Sequence, residues 1–369
     1  MTKIANSRSH GPRWTALAAG CAALVAVVGG ALPAAAAGGA GQGSAAVAAP
    51  APRLDREALR ELMAPDEVAA GTMVRVSAPG LRWTEATGGL SQDPAASFRI
   101  GSVTKVFTST VVLQLVAEER FTLETPVQEL LPGTLPAHWH PITVGQLLSH
   151  TSGLGLPCVA PENPQAPTPA AVIAALTDPA CPAPEYPVTR QQYNGFNYFL
   201  AGMVVEKVTG HRYADEVQRR IARPLGLRHT YLPAPGDTAM PTPSLAAPSA
   251  VEPWAWAEGG MISNGPDLER FLGALLRGRL LPPAQQRELF AMPALSQGAQ
   301  DRFSNAGLLR AELADGTVVW GKTGSMEPYT NGVFGTGDGR RVLVYSYTGV
   351  TRDPVAQRRR AEDLVAAAF

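Results

Sequence analysis

Only four of the 31 basic residues in this 369-residue chain are lysines, and one of them stands three residues after a serine, in the stretch Arg-Ile-Gly-Ser102-Val-Thr-Lys105. On a helix, positions i and i+3 share a face, so a hydroxyl and an amine placed this way can meet. If the serine opens the helix, the free backbone N–H groups of the first turn favour negative charge, including the oxyanion of acyl transfer. A lysine buried among apolar residues can accept the serine proton, which arginine cannot do. Ser-x-x-Lys by itself is a weak signal, with about one chance match expected in a chain of this size at average composition. The scarcity of lysine sharpens it, because beyond the N-terminal leader only Lys105, Lys207 and Lys322 remain.

Lys322 carries the second constellation. Val-Val-Trp-Gly-Lys322-Thr323-Gly324-Ser325 places the amine at the end of a strand. Such an edge offers a charge, a hydroxyl and backbone N–H groups to a substrate lying along it. Lys207 sits inside a regular helical pattern and reads as a surface charge.

The elements that must hold these residues are legible in outline. Arg53 to Met63 has helical spacing, with Leu54, Leu59 and Leu62 as its buried stripe. Strands follow at 73–77 and 81–85, split by Ala-Pro-Gly, and then a long apolar helix from Ser102 to Glu119 with few positions suited to solvent. Further helices are expected before Gly210, whose position suits a C-cap, and from Gly265 to Gly278, with Pro266 in the first turn. The Pro-rich stretches 156–187 and 233–253 read as irregular insertions. Four strand-like segments joined by Ala-Asp-Gly and Gly-Asp-Gly-Arg turns then lead to a helix over 354–369. Strands near both ends with a helical middle predict an α/β (α+β) fold: an antiparallel sheet flanked by terminal helices, plus a helical lobe.

Residues 1–37 carry Lys3, Arg8 and Arg13 ahead of an apolar run that ends in Pro33 and alanines, the pattern of a cleaved signal peptide. Residues 38–52 read as a flexible linker, which leaves 53–369 as one large domain, with α/β parts from both ends and a helical lobe in the middle, and the product as secreted. Cys158 and Cys181 lie in one Pro-rich insertion, where a local disulfide is the natural pairing for an exported chain. Charge is balanced at 31 basic and 31 acidic residues, which gives no basis for a nucleic-acid partner. No stretch after the leader is long and apolar enough for a membrane span. His138 and His140 lack the companions of a metal site, no Gly-x-Ser-x-Gly elbow or dinucleotide fingerprint occurs, and His150 reads as ordering a turn. No cofactor is expected, and a monomer is.

Ser102-x-x-Lys105 with Lys322-Thr-Gly is the pattern of the penicillin-recognising serine hydrolases. The blocks "FRIGSVTKVFTSTVVLQLVAEERFTLETPVQELLP", "ITVGQLLSHTSGL", "FLAGMVVEKVTG" and "GGMISNGPDLERFLGALL" resemble the class C β-lactamase and D-alanyl-D-alanine carboxypeptidase family, most closely its soluble streptomycete carboxypeptidases. The resemblance implies Ser102 as nucleophile, Lys105 as its proton partner, and the N–H groups of Ser102 and Ser325 as the oxyanion hole. It implies Lys322, Thr323 and Arg310 as ligands of a substrate carboxylate, with Gly324 in the same edge, and Trp254 as a cleft-lining aromatic. The family's middle motif, Tyr-x-Asn, falls on Tyr193, Asn194 and Gly195. Tyr193 would be the general base, while the asparagine that supports the lysine and binds the acyl amide is a glycine here. The implied activity is an exported D-alanyl-D-alanine carboxypeptidase on peptidoglycan-type peptides that also binds penicillin. An esterase or β-lactamase acting on small esters or β-lactams is the alternative, and a binder with little turnover is the third reading.

Overall fold

The computed structural model describes residues 54–162, 168–234, 237, 239–246, 255–297 and 302–369. The leader, the linker and Trp254 lie outside the described residues. Strands β1 (Ala69–Ala78), β2 (Leu81–Ala86), β5 (Leu309–Glu312), β6 (Val318–Met326), β7 (Tyr329–Thr336) and β8 (Val342–Gly349) form one sheet in the order β2-β1-β8-β7-β6-β5. Every neighbouring pair in it is antiparallel. Two short strands, β3 (Ser97–Arg99) and β4 (Ile262–Asn264), pair separately beside it.

Side-chain alternation explains why the sheet is covered on both faces. Val74, Val76, Leu343, Tyr345 and Phe334 turn to one side, where they pack with Leu59, Met63, Leu364 and Val365 of the terminal helices Arg56–Met63 and Pro354–Ala368. Met73, Val344 and Val333 turn to the other, against Phe271, Leu272 and Leu275 of the helix Gly265–Leu276. Strands buried on both faces read as near-continuous apolar runs, as "RVLVYSY" does. Each terminal helix is capped by an aspartate: Asp55 accepts from Ala58 N and Asp353 from Val355 N. Arg360 joins the two ends by donating to Leu62 O and Asp66.

The helical lobe is built around the helix Thr104–Ala117, nearly all of whose residues are buried and whose Phe107 stacks on Phe271 at 3.7 Å between centroids. Three details depart from the sequence reading. Residues Gly101–Val103 form a separate 3-10 turn ahead of that helix. The buried pair on the first helix is Leu59 and Met63, because i, i+4 spacing points both at the sheet, while Leu54 and Leu62 are half-buried. The 156–187 insertion contains a helix, Pro169–Leu176, started by the Thr168 cap. Cys158 and Cys181 form the disulfide, with Cα atoms 5.3 Å apart. Among the described residues no helix is long and apolar enough to cross a membrane.

Candidate active site

Ser102 is delivered to the sheet edge by a close backbone contact. Gly101 has φ +49°, and a Cβ there would meet Ser325 O at 2.5 Å and Ser325 N at 2.7 Å. A Cβ on Gly324 would meet Ile100 O at 2.1 Å. Only glycine at both positions lets the turn carrying the serine lie flat on β6. Asn331 Nδ2 on β7 donates to Arg99 O at 3.0 Å, and Ile100 N donates to Met261 O at 3.0 Å, which ties the turn down on two sides. The segments implied for the oxyanion hole, around Ser102 and Ser325, are therefore in direct contact.

Lys105 Nζ donates to Ser102 Oγ at 3.0 Å, and the Tyr193 hydroxyl donates to the same oxygen at 2.7 Å. Lys105 is 1% exposed and Lys322 is fully buried. Their amines lie 5.2 and 4.9 Å from the centroid of the Tyr193 ring. The two Ser-x-x-Lys residues, the motif tyrosine and the Lys-Thr-Gly lysine thus converge, although 220 positions separate Ser102 from Lys322 in the chain. A hydroxyl gripped by an ammonium and a phenol, at a helix start, is equipped to attack an acyl carbon and shed its proton.

Tyr193 is held by its neighbours rather than by a regular element. Gln191 clamps Ser149 O and Phe303 through both ends of its amide, and Gln192 N donates to His150 O at 2.9 Å. The His150 ring lies 4.6 Å from that of Tyr193, and its Nδ1 accepts from Asn194 N at 3.2 Å. Burial, helped by the charges of Lys105 and Lys322, holds His150 well below the usual imidazole range. His150 is therefore a neutral acceptor that orders the 192–194 backbone. Asn194 turns its amide elsewhere than to Ser102: its Nδ2 donates to Leu154 O and Gly155 O, both at 2.8 Å, and its Oδ1 caps Phe196 N.

The residue that sequence reasoning missed is Glu258. Its Oε2 and its backbone oxygen each accept from Lys105 Nζ at 2.6 Å, so the three protons of the ammonium have three acceptors. A Cβ on Gly195 would lie 2.4 Å from Glu258 Oε2, so the carboxylate occupies space that a side chain at 195 would need. Glu258 rides on the short helix Trp256–Gly259, which begins with Trp256 at φ +30°, a strained value for a bulky residue. The Trp256 ring is wedged between Phe199 and Tyr213, and Gly202 gives it room, the kind of packing that sustains such strain. The available signal was a single acid in the otherwise small and apolar "WAWAEGGMIS".

The remaining expected residues divide. Lys322 Nζ donates to Thr323 O at 2.9 Å, and Ser325 pairs with Thr330 across β6 and β7. Arg310 lies on the edge strand β5 opposite Trp320, and its guanidinium pairs with Glu312 at 3.0 Å. Among the described residues no His, Cys, Asp or Glu cluster could hold a metal ion.

A family model described as Beta-lactamase matches residues 16–368. The D-stereospecific amidohydrolase of a Streptomyces species superposes with a TM-score of 0.74 at 31% identity, covering 85% of this chain and 98% of that one. Penicillin-binding protein 4 of Amycolatopsis lactamdurans is 35% identical over 136 residues, which are 36% of this chain and 35% of that protein. Teichoic acid D-alanine hydrolase of Staphylococcus aureus is 29% identical over 142 residues, 38% of this chain and 34% of that protein. The matched stretches thus span about a third of the length of these curated relatives. A family match over almost the whole chain, with the fold of 85% of it shared by a hydrolase of known structure, shows that this protein belongs to the Beta-lactamase family of serine hydrolases.

Proposed function

We propose that this protein hydrolyses amide bonds on the carbonyl side of D-amino-acid residues through an acyl-enzyme at Ser102. The observation that carries the reading is the Ser102 hydroxyl held at 3.0 Å by Lys105 and at 2.7 Å by Tyr193. The likeness to a D-stereospecific amidohydrolase over nearly all of that chain supports the substrate class.

Tyr193, rather than Lys105, takes the serine proton, because the Lys105 ammonium already donates to Ser102 and twice to Glu258. Its charge, with that of Lys322, stabilises the phenolate that performs this step. Ser102 Oγ bonds to the carbonyl carbon while the Ser102 and Ser325 N–H groups bind the developing oxyanion. Tyr193 then passes the proton to the leaving nitrogen as the C–N bond breaks. In the second half a water gives a proton to Tyr193 and attacks the ester. Ser102 recovers its hydrogen as the acid leaves.

D-alanyl-D-alanine carboxypeptidase is the narrower reading within this class, with Lys322, Thr323 and Arg310 holding the terminal carboxylate. The pairing of Arg310 with Glu312 favours uncharged leaving groups instead. Export belongs to the same proposal, supported by the leader-like first 37 residues and by the Cys158–Cys181 disulfide, which suits an oxidising compartment. The test compares release of p-nitroaniline from D- and L-alanine p-nitroanilide with release of D-alanine from D-Ala-D-Ala peptides. Turnover of the D-anilide above both others, abolished in Ser102→Ala, is the expected result. Faster D-alanine release from the peptides would establish the carboxypeptidase instead.

A further inference from the structure

We infer that Glu258 replaces the missing motif asparagine from another element, holding Lys105 in place and selecting substrates with a free α-ammonium. The inference rests on the amide-hydrolase reading for its substrate but on geometry alone for its mechanics. Gly195 and Glu258 are a matched pair. The glycine leaves a space into which a Cβ would bring an atom 2.4 Å from Oε2, and the carboxylate fills that space from the opposite side. Lys105 is 1% exposed while Glu258 keeps 17% of its side chain open, so the acid, unlike the lysine, retains access to a ligand.

Its position relative to the reacting atoms follows from the shared ammonium. Lys105 Nζ touches both Ser102 Oγ and Glu258 Oε2. In an acyl-enzyme the α-nitrogen of an aminoacyl group is three bonds from Oγ, which leaves it within reach of a carboxylate that shares the Lys105 ammonium with Oγ. A carboxylate only accepts hydrogen bonds, whereas an asparagine amide both donates and accepts. A free α-ammonium gives it several protons and a full positive charge, whereas an N-acyl nitrogen offers a single uncharged N–H. The site is therefore built for aminoacyl substrates and against N-acylated ones, such as the inner residues of a peptide.

The experiment measures kcat/KM for D-alanine p-nitroanilide and its N-acetyl derivative in the wild type, Glu258→Gln, Gly195→Asn and the double variant Gly195→Asn/Glu258→Ala. The wild type should prefer the free amine by at least about tenfold, the worth of one charged hydrogen bond. Glu258→Gln, nearly isosteric, should lose that preference mainly through KM. Gly195→Asn alone should slow both substrates, because the new side chain drives Glu258 off Lys105. The double variant should regain activity and prefer the N-acetyl substrate. A preference that survives Glu258→Gln, no preference in the wild type, or Gly195→Asn alone matching the double variant would each overturn the inference. If neither anilide is hydrolysed while benzylpenicillin acylates Ser102, the amide-hydrolase reading fails separately. The labelling rates of 6-aminopenicillanic acid, which has a free amine beside the reacting carbonyl, and of acylated benzylpenicillin then decide the inference by the same pattern across the variants.

Discussion

Lysine at 105 is required for the shape of its ammonium rather than for proton transfer. Its Nζ sits fully packed with Ser102 Oγ, Glu258 O and Glu258 Oε2 around it, an arrangement that suits a compact ammonium with three donors. A planar guanidinium is longer and cannot point its protons at three such acceptors from one atom. Lys105→Arg keeps the charge but displaces Ser102 and Tyr193 from each other, and should lower the rate of Ser102 acylation by about 10²–10⁴-fold, the usual worth of the positioned proton transfer that Tyr193 would lose. Intact-mass kinetics with benzylpenicillin measure this directly, and an acylation rate within about threefold of wild type would contradict the geometry argued for Lys105.

The element that decides the site is β6, because it carries Lys322 and Thr323 and also forms the floor under the Ser102 turn. That floor works only without a side chain at 324. Gly324→Ala would set a methyl 2.1 Å from Ile100 O and 2.8 Å from Asn331 Oδ1, and the first of these is backbone that cannot rotate away. The variant should lose about 1–3 kcal/mol of stability from overpacking, and more activity than stability, because β6 and Ser102 are pushed apart. Gly337→Ala is the control: its nearest neighbour would be Trp320 Nε1 at 3.9 Å, so it should stay within about 0.5 kcal/mol of wild type. Urea titrations paired with acylation rates separate the two effects.

Across the whole molecule, the junction between sheet and helical lobe makes the fold sensitive to mild acid. His150 sits at that junction, wholly buried among Tyr193, Tyr198 and Phe303, and burial beside two lysines keeps it neutral in the folded state. The unfolded chain takes up a proton at this position below about pH 6.5, and the folded chain does not. The unfolded state thus binds more protons, and folding stability falls as pH drops from 6.5 toward the depressed folded pKa. The slope from this one group approaches about 1.4 kcal/mol per pH unit. The folded carboxylates with lowered pKa, such as Asp66 and Glu216, lose stability only at lower pH, so the window above about pH 5 reports the imidazole. Urea unfolding at pH 7.5, 6.5 and 5.5 should show this loss in the wild type and a flatter profile in His150→Gln. Equal profiles would remove His150 as the cause.

The sequence by itself determined most of the elements and the pairing of Ser102 with Lys105. Turn residues between strand-like runs marked the strands, caps and glycines marked helix ends, and the scarcity of lysine singled out Lys105 and Lys322. Local chemistry specifies such features within a few residues. The tertiary structure decided whatever depends on two distant segments meeting. Gly195 read as a loss because its compensation, Glu258, comes from a strained turn 63 positions later. Asn194, beside the missing asparagine, commits its amide to Leu154 and Gly155, and Arg310, expected to hold a substrate carboxylate, pairs its charge with Glu312. A carboxylate on one element and an empty space on another form one functional unit only after packing brings them within contact distance. No spacing rule along the chain encodes that distance.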